Sequence, residues 1–193
     1  MGLLKFIKAN ISNILFVLIA LIIFFSTDAK TFLIKGLMRT GLYNAKAPSS
    51  TEVKSNSIPY DLSFKSENGD ILKLAENKGE VYFINFWATW CPPCRAEMPS
   101  INSLYSKITN KDKVKFLLVD VDNKIPSSVN YMTKNNYQLK VYSIASIIPD
   151  YIFSGTLPTT VIVGPNGDIV FQHSGIADYD TTEMLNFINT LSR

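Results

Sequence analysis

Val81-Tyr82-Phe83-Ile84-Asn85-Phe86-Trp87, then Ala88-Thr89-Trp90, then Cys91-Pro92-Pro93-Cys94: the rest of the chain is read outward from this segment. Apart from Asn85 the first seven residues are aromatic or β-branched; they follow Gly79-Glu80 and predict a buried strand. Beyond Cys94 the apolar residues Met98, Ile101, Leu104, Tyr105 and Ile108 recur at spacings of three and four, the period of a helix. The two cysteines, the only ones in the chain, therefore sit where a strand ends and a helix begins.

That position has chemical consequences. The first turn of a helix carries unpaired N–H groups and a partial positive charge. A thiolate there is stabilised, so the Cys91 pKa is expected below the ~8.5 of free cysteine, which makes this sulfur the attacking nucleophile. Cys94, one turn further in, is expected to be more shielded and to act as the resolving sulfur. Pro92 and Pro93 cost such a helix little, because first-turn N–H groups lack intrahelical partners, and they stiffen the loop. A zinc site needs four ligands, and two cysteines with a single histidine, His173, do not supply them. An inert structural disulfide is a poor alternative, because so short a loop removes little unfolded-state entropy. The pair reads as a redox centre that needs no cofactor and no metal.

Around it the chain alternates strand and helix. Tyr60 to Lys65 and Ile71 to Leu74, joined by Asn68-Gly69, predict a hairpin. Val114 to Val121 is a second buried strand, and Pro126 opens a helix through about Asn136, so a parallel right-handed βαβ unit is expected. Val141 to Ile144 is a minor strand, and Ala145 to Phe153 has room for one helical turn. Thr159 to Val163 and Asp168 to His173 pair around Pro165-Asn166-Gly167, and Asp180 or Thr181 caps a last helix through Leu191.

The 193 residues carry a net charge of +3, but residues 1–47 hold six basic residues against Asp28 alone, leaving the rest slightly acidic. Nothing in that remainder suggests nucleic acid. Ala9 to Phe25 has no charge, and extended back to Leu3, with Lys5 and Lys8 snorkelling, it is long enough to span a bilayer. An uncleaved anchor is expected over a cleaved signal peptide, since Thr27-Asp28-Ala29 is a poor cleavage site. Lysine and arginine flank both ends about equally and do not orient it. In residues 30–47, Phe32, Leu33, Leu37, Met38 and Leu42 are expected on one face of a short helix, with Lys35 and Arg39 on another. It either lies on the membrane or packs on the domain, and a folded-back linker helix is the simpler expectation. Ala47 to Ser57 reads as a linker.

The run Phe86-Trp87-Ala88-Thr89-Trp90-Cys91-Pro92-Pro93-Cys94-Arg95, with Gly155-Thr156-Leu157-Pro158-Thr159-Thr160, resembles the thioredoxin superfamily, and within it the membrane-tethered TlpA/ResA-like branch, from about Pro59 to Arg193. Pro99 also matches the family's helix proline. The resemblance implies an α/β thioredoxin fold, a central mixed sheet flanked by helices, with an N-terminal hairpin extension. It divides the chain into a transmembrane signal-anchor (1–29), a juxtamembrane helix and linker (30–57) and a thioredoxin-like domain (58–193). It implies a cis Pro158 facing the cysteines, with Leu157, Trp90, Pro92 and Pro93 toward the substrate. Glu97, three residues past Cys94, matches a carboxylate of the ResA-like branch and is expected to move protons for Cys94. Asn85 departs from the buried aspartate of thioredoxins proper, leaving Glu97 the better acid, and a buried amide pairing with backbone groups is its simpler reading. The implied activity is thiol–disulfide exchange on extracytoplasmic proteins, as in cytochrome c maturation. The enzyme would be held in the cytoplasmic membrane by residues 3–25, its domain toward the periplasm or outside, and be re-reduced by a membrane dithiol donor. The competing reading is an SCO-like copper chaperone using Cys91, Cys94 and His173, against which stands the cysteine spacing of two instead of three.

Overall fold

The computed structural model describes residues 2–47, 57–59, 61–76 and 78–193, without the side chains of residues 2–9. Tyr60 and most of the expected linker lie outside the described residues. Seven strands form one sheet: β1 (Ser63–Ser66), β2 (Ile71–Lys73), β3 (Val81–Trp87), β4 (Val114–Asp120), β5 (Val141–Ile144), β6 (Thr159–Val163) and β7 (Ile169–Ser174). Their order is β2-β1-β5-β4-β3-β6-β7. β3, β4 and β5 run parallel, joined by the helices α3 (Pro92–Lys107) and α4 (Ile125–Lys134). β6 and β7 are antiparallel to one another and β6 to β3; α5 (Thr182–Leu191), capped by the Thr181 hydroxyl, ends the chain. The expected hairpin is present, and β1 pairs antiparallel with β5, so the extension is built into the sheet itself. The 145–153 segment holds a single turn, in which Ile152 and Phe153 N–H donate to the Pro149 carbonyl.

β3 is buried along its whole length and alternates between two cores. Val81, Phe83 and Trp87 point into one, fed also by α3 (Met98, Ile101, Leu104), α4 (Met132) and α5 (Met184, Ile188). Tyr82, Ile84 and Phe86 point into the other, closed by Leu62, Phe64, Leu74 and Ile152. Stacked rings stiffen both: Phe83 on Phe116 at 4.6 Å and Phe86 on Phe153 at 4.5 Å, each worth about 0.5–1.5 kcal/mol beyond area burial. Trp87 is core throughout, fully buried and 5.5 Å from the Tyr131 ring. The strong C-terminal ends of β3 and β4 and the start of β6 meet at one edge, and that edge carries the cysteines.

Ahead of the domain run two helices, α1 (Gly2–Phe25) and α2 (Thr27–Met38). The chain breaks at Ser26, whose extended backbone ends α1 and whose hydroxyl accepts from Ala29 N–H at 3.2 Å, starting α2 afresh. Among the described residues no single helix is long and apolar enough to cross a membrane. The pair Asn10–Phe25 and Thr27–Met38 passes together by length and composition, bent by 92°. α2 packs on α3. Its buried residues are Thr31 and Met38, while Phe32, Leu33 and Leu37 are exposed. The expected single apolar face is therefore two faces: Met38 turns toward the domain with Thr31, because α3 offers a surface there, and Phe32, Leu33 and Leu37 turn away.

Candidate active site

Cys91 is the N-cap of α3. Its backbone is extended, and its sulfur accepts from Cys94 N–H at 3.3 Å, one of the first-turn donors that a helix leaves free. Pro92 and Pro93 fill the next two positions, where no intrahelical N–H bond is lost. The two sulfurs are joined in a disulfide, with Cα atoms 5.3 Å apart. Cys94 is completely buried and Cys91 nearly so, at 3% exposure.

Glu97 lies one turn on, fully buried. Its carboxyl accepts from Asn85 Nδ2 on β3 at 2.7 Å and from Ala177 N–H, in the loop after β7, at 3.2 Å. Both donors favour the charged form, but desolvation outweighs them and burial pushes the pKa up to about 8. Asn85 also donates to Thr160 Oγ1 at 2.9 Å, so it pairs with side chains and not with the backbone groups expected for it. Its own Oδ1 is buried without a hydrogen-bond partner among the described residues, as is the Tyr179 hydroxyl. Tyr179 is pushed well above its ordinary range by burial and then by the Glu97 charge.

The Leu157–Pro158 peptide is cis. Pro158 is buried and directly precedes Thr159, which pairs with Phe86 of β3, so the proline stands at the sheet edge from which the cysteines emerge. Its carbonyl accepts from Gly175 N–H at 2.8 Å, where a φ of 103° suits glycine. Leu157 is half-buried and packs against both cores. Trp90, next to Cys91, is 57% exposed; its indole N–H donates to Asp122 Oδ2 at 2.7 Å, which fixes the plane of the ring. Pro92 and Pro93 are half-buried beside it. His173 sits on β7 opposite Thr160, and among the described residues no group of three His, Cys, Asp or Glu side chains is placed to hold a metal.

On the other flank of α3 the structure adds residues that sequence reasoning passed over. Arg95 forms an ion pair with Asp28 of α2 and lies 5.1 Å from the Tyr131 ring. The Thr31 hydroxyl, which donates to Thr27 O at 2.8 Å, is also 3.5 Å from the Pro92 carbonyl between the cysteines. Asp122 carried a faint signal, an acid just past the end of a parallel strand. Ala177, Tyr179 and Asp28 carried none.

Comparison with known proteins agrees with this geometry. The family model described as AhpC/TSA family matches residues 55–172, more than half of the chain. The thiol-disulfide oxidoreductase ResA of Bacillus thuringiensis (strain Al Hakam) is 37% identical over 112 residues, covering 55% of this chain and 62% of that protein. ResA of Bacillus subtilis (strain 168) is 28% identical over 131 residues, covering 67% of this chain and 72% of that one. The B. thuringiensis and Bacillus anthracis relatives are thus spanned over less than two thirds of their own length. In fold, the chain resembles a thiol:disulfide interchange protein of the thioredoxin family from Chlorobium tepidum TLS (TM-score 0.57, 24% identity, 74% of this chain and 100% of that one). It also resembles StoA from B. subtilis (TM-score 0.52, 21% identity, 68% and 99%). A thioredoxin-type sheet with a cysteine pair capping the helix after its central strand, matched over most of its length by one family model, makes this chain a member of the AhpC/TSA family, of the ResA/TlpA-like, thioredoxin-fold kind.

Proposed function

We propose that the protein is a membrane-tethered thiol–disulfide oxidoreductase that reduces disulfides in extracytoplasmic proteins, apocytochrome c among them. The observation that carries this is the disulfide across the first turn of α3 with a buried, protonatable Glu97 one turn behind it. In the reduced enzyme the Cys91 thiolate attacks a substrate disulfide. One substrate sulfur leaves as a thiol and a mixed disulfide forms. Cys94 then attacks the Cys91 sulfur, the second substrate sulfur leaves, and the enzyme keeps the Cys91–Cys94 bond seen here. The substrate gains two electrons and the enzyme loses two; a membrane dithiol donor returns them.

The carboxylate form of Glu97, the minority form at neutral pH, takes the proton that Cys94 gives up before it attacks, and the protonated form returns it to Cys94 on re-reduction. With its pKa near 8 it is mostly protonated at neutral pH yet able to titrate there, the range in which a general acid–base works best. Asn85 and the Ala177 N–H hold the carboxyl in place. The buried Pro158 and the exposed Trp90 shape the surface that a substrate strand meets. The described apolar stretch of α1, Asn10–Phe25, falls short of a span by itself, but α1 runs back to Gly2, 24 residues or about 36 Å in all, and its described apolar side chains are exposed, as a lipid-facing helix requires.

The test is a Cys94→Ser variant of the full chain in cells. A mixed disulfide through Cys91 is expected to accumulate, and mass spectrometry of the adduct names the substrate. Absence of any Cys91 adduct, with the variant folded and present at the wild-type level, removes the proposal.

A further inference from the structure

Helix α2 presents two unlike faces. One, with Thr31 and Met38 buried and Lys35 half-buried, is seated on α3 beside the cysteines. On the opposite face Ala29, Leu33 and Leu37 fall four apart with Phe32 and Gly36 between them. Phe32 is 76% exposed, Leu33 47% and Leu37 53%, and Leu42, just past the helix, 81%. A soluble surface rarely leaves so many large apolar side chains together. Two observations say what covers them. First, the face is continuous with α1, whose exposed side chains from Ile11 to Phe25 are almost all apolar and which leaves α2 at 92°. The Lys30 ammonium, 5.5 Å from the Phe24 ring, ties the last turn of α1 to the flank of α2 and not to its docked face. Second, the segment that carries these residues is basic: residues 29–47 hold Lys30, Lys35, Arg39 and Lys46 and no acid, and Asp28, just ahead of them, is turned to Arg95. An apolar strip on a basic segment fits the headgroup layer of an anionic bilayer.

We propose that α2 lies in the membrane–water interface as a bracket, its apolar face in lipid and its other face on α3, so that the Cys91–Cys94 pair is held at the bilayer surface. The proposal rests on the reading of α1 as a membrane anchor. Packed helix axes are roughly 8–10 Å apart, so the cysteines stand about one helix layer above the plane of α2. The disulfide or dithiol that reacts with them must reach that height, at the level of the headgroups, rather than approach a domain swinging freely on a linker.

The full chain is reconstituted in nanodiscs of equal phosphatidylglycerol and phosphatidylcholine, with Phe16, Phe32, Leu37 or Ile71 replaced, one at a time, by the photo-crosslinking residue p-benzoylphenylalanine. Ile71 is an exposed residue on the far hairpin. Lipid adducts are expected at positions 32 and 37 at a yield comparable to position 16, and about tenfold or more above position 71. Adducts at position 16 with only background at 32 and 37 overturn the bracket and leave the anchor standing. Background at position 16 as well overturns the anchor. Adducts at 32 or 37 to a second copy of the chain, in place of lipid, overturn the bracket too.

Discussion

Glu97 and Arg95 are two residues apart on α3, yet one flank of the helix suppresses charge and the other accommodates it. Toward the sheet, Glu97 meets a dry pocket of Asn85, Ala177 and Tyr179, and its pKa rises to about 8. On the other side, Arg95 meets Asp28 of α2 and Tyr131 of α4, and the side chain of Asp28 is 81% exposed. The difference shows that what a helix position does to a charge is set by the neighbouring layer, not by the helix. A carboxyl with two good donors still loses its charge when water is excluded, whereas a guanidinium keeps its charge with a partner that remains wet.

The largest expected effect sharpens the dry flank. Glu97 has a folded pKa raised above its unfolded 4.5. Its contribution to stability is therefore full below about pH 4.5 and is lost as the pH rises through about 8. The loss is on the order of 5 kcal/mol. In Glu97→Gln this decline is expected to vanish, so denaturant unfolding at pH 9 finds the variant more stable than wild type. If catalysis uses this proton, the rate of Cys94 attack falls at least tenfold and loses its inflection near pH 8. Parallel pH curves for the two proteins break the dry-pocket argument. Next comes Asn85→Ala, which removes a donor to both Glu97 and Thr160. A loss of about 1–3 kcal/mol is expected, with the Glu97 pKa moving higher still, measured by denaturant unfolding and carboxyl NMR titration.

Tyr179→Phe tests the same pocket from the other side. Its hydroxyl is buried without a well-formed hydrogen bond among the described residues, Thr160 offering only a weak one, so deleting it is expected to change stability by no more than about 1 kcal/mol in either direction. The smallest effect belongs to the wet flank. Asp28→Asn breaks a pair whose acid is mostly in solvent and is expected to cost under about 1 kcal/mol, less at high salt. A cost equal to that of Asn85→Ala would mean that the two flanks do not differ as described.

The sequence alone determined where the cysteine pair stands and what holds its backbone. An aromatic, β-branched run that ends in Cys-Pro-Pro-Cys before a period-3.6 pattern admits one local geometry, because strand and helix propensities act within a few residues. The turn at Asn68-Gly69, the strand over 159–163 and the capped last helix were legible for the same reason. Pro158 was legible through resemblance, since nothing local distinguishes a cis proline before a strand. What tertiary structure decided was every property that depends on a distant neighbour. Glu97 keeps its proton because β3 and the loop after β7 close over it, and Ala177 lies 80 residues away. β1 joined the sheet because the edge of β5 was open to it. Residues 32–42 looked like one apolar face, and only the surface of α3 divided it, taking Met38 and Thr31 for the domain and leaving Phe32, Leu33 and Leu37 outside. Periodicity records which residues are apolar; which apolar surface each one meets is fixed by the packing of layers far apart in the chain.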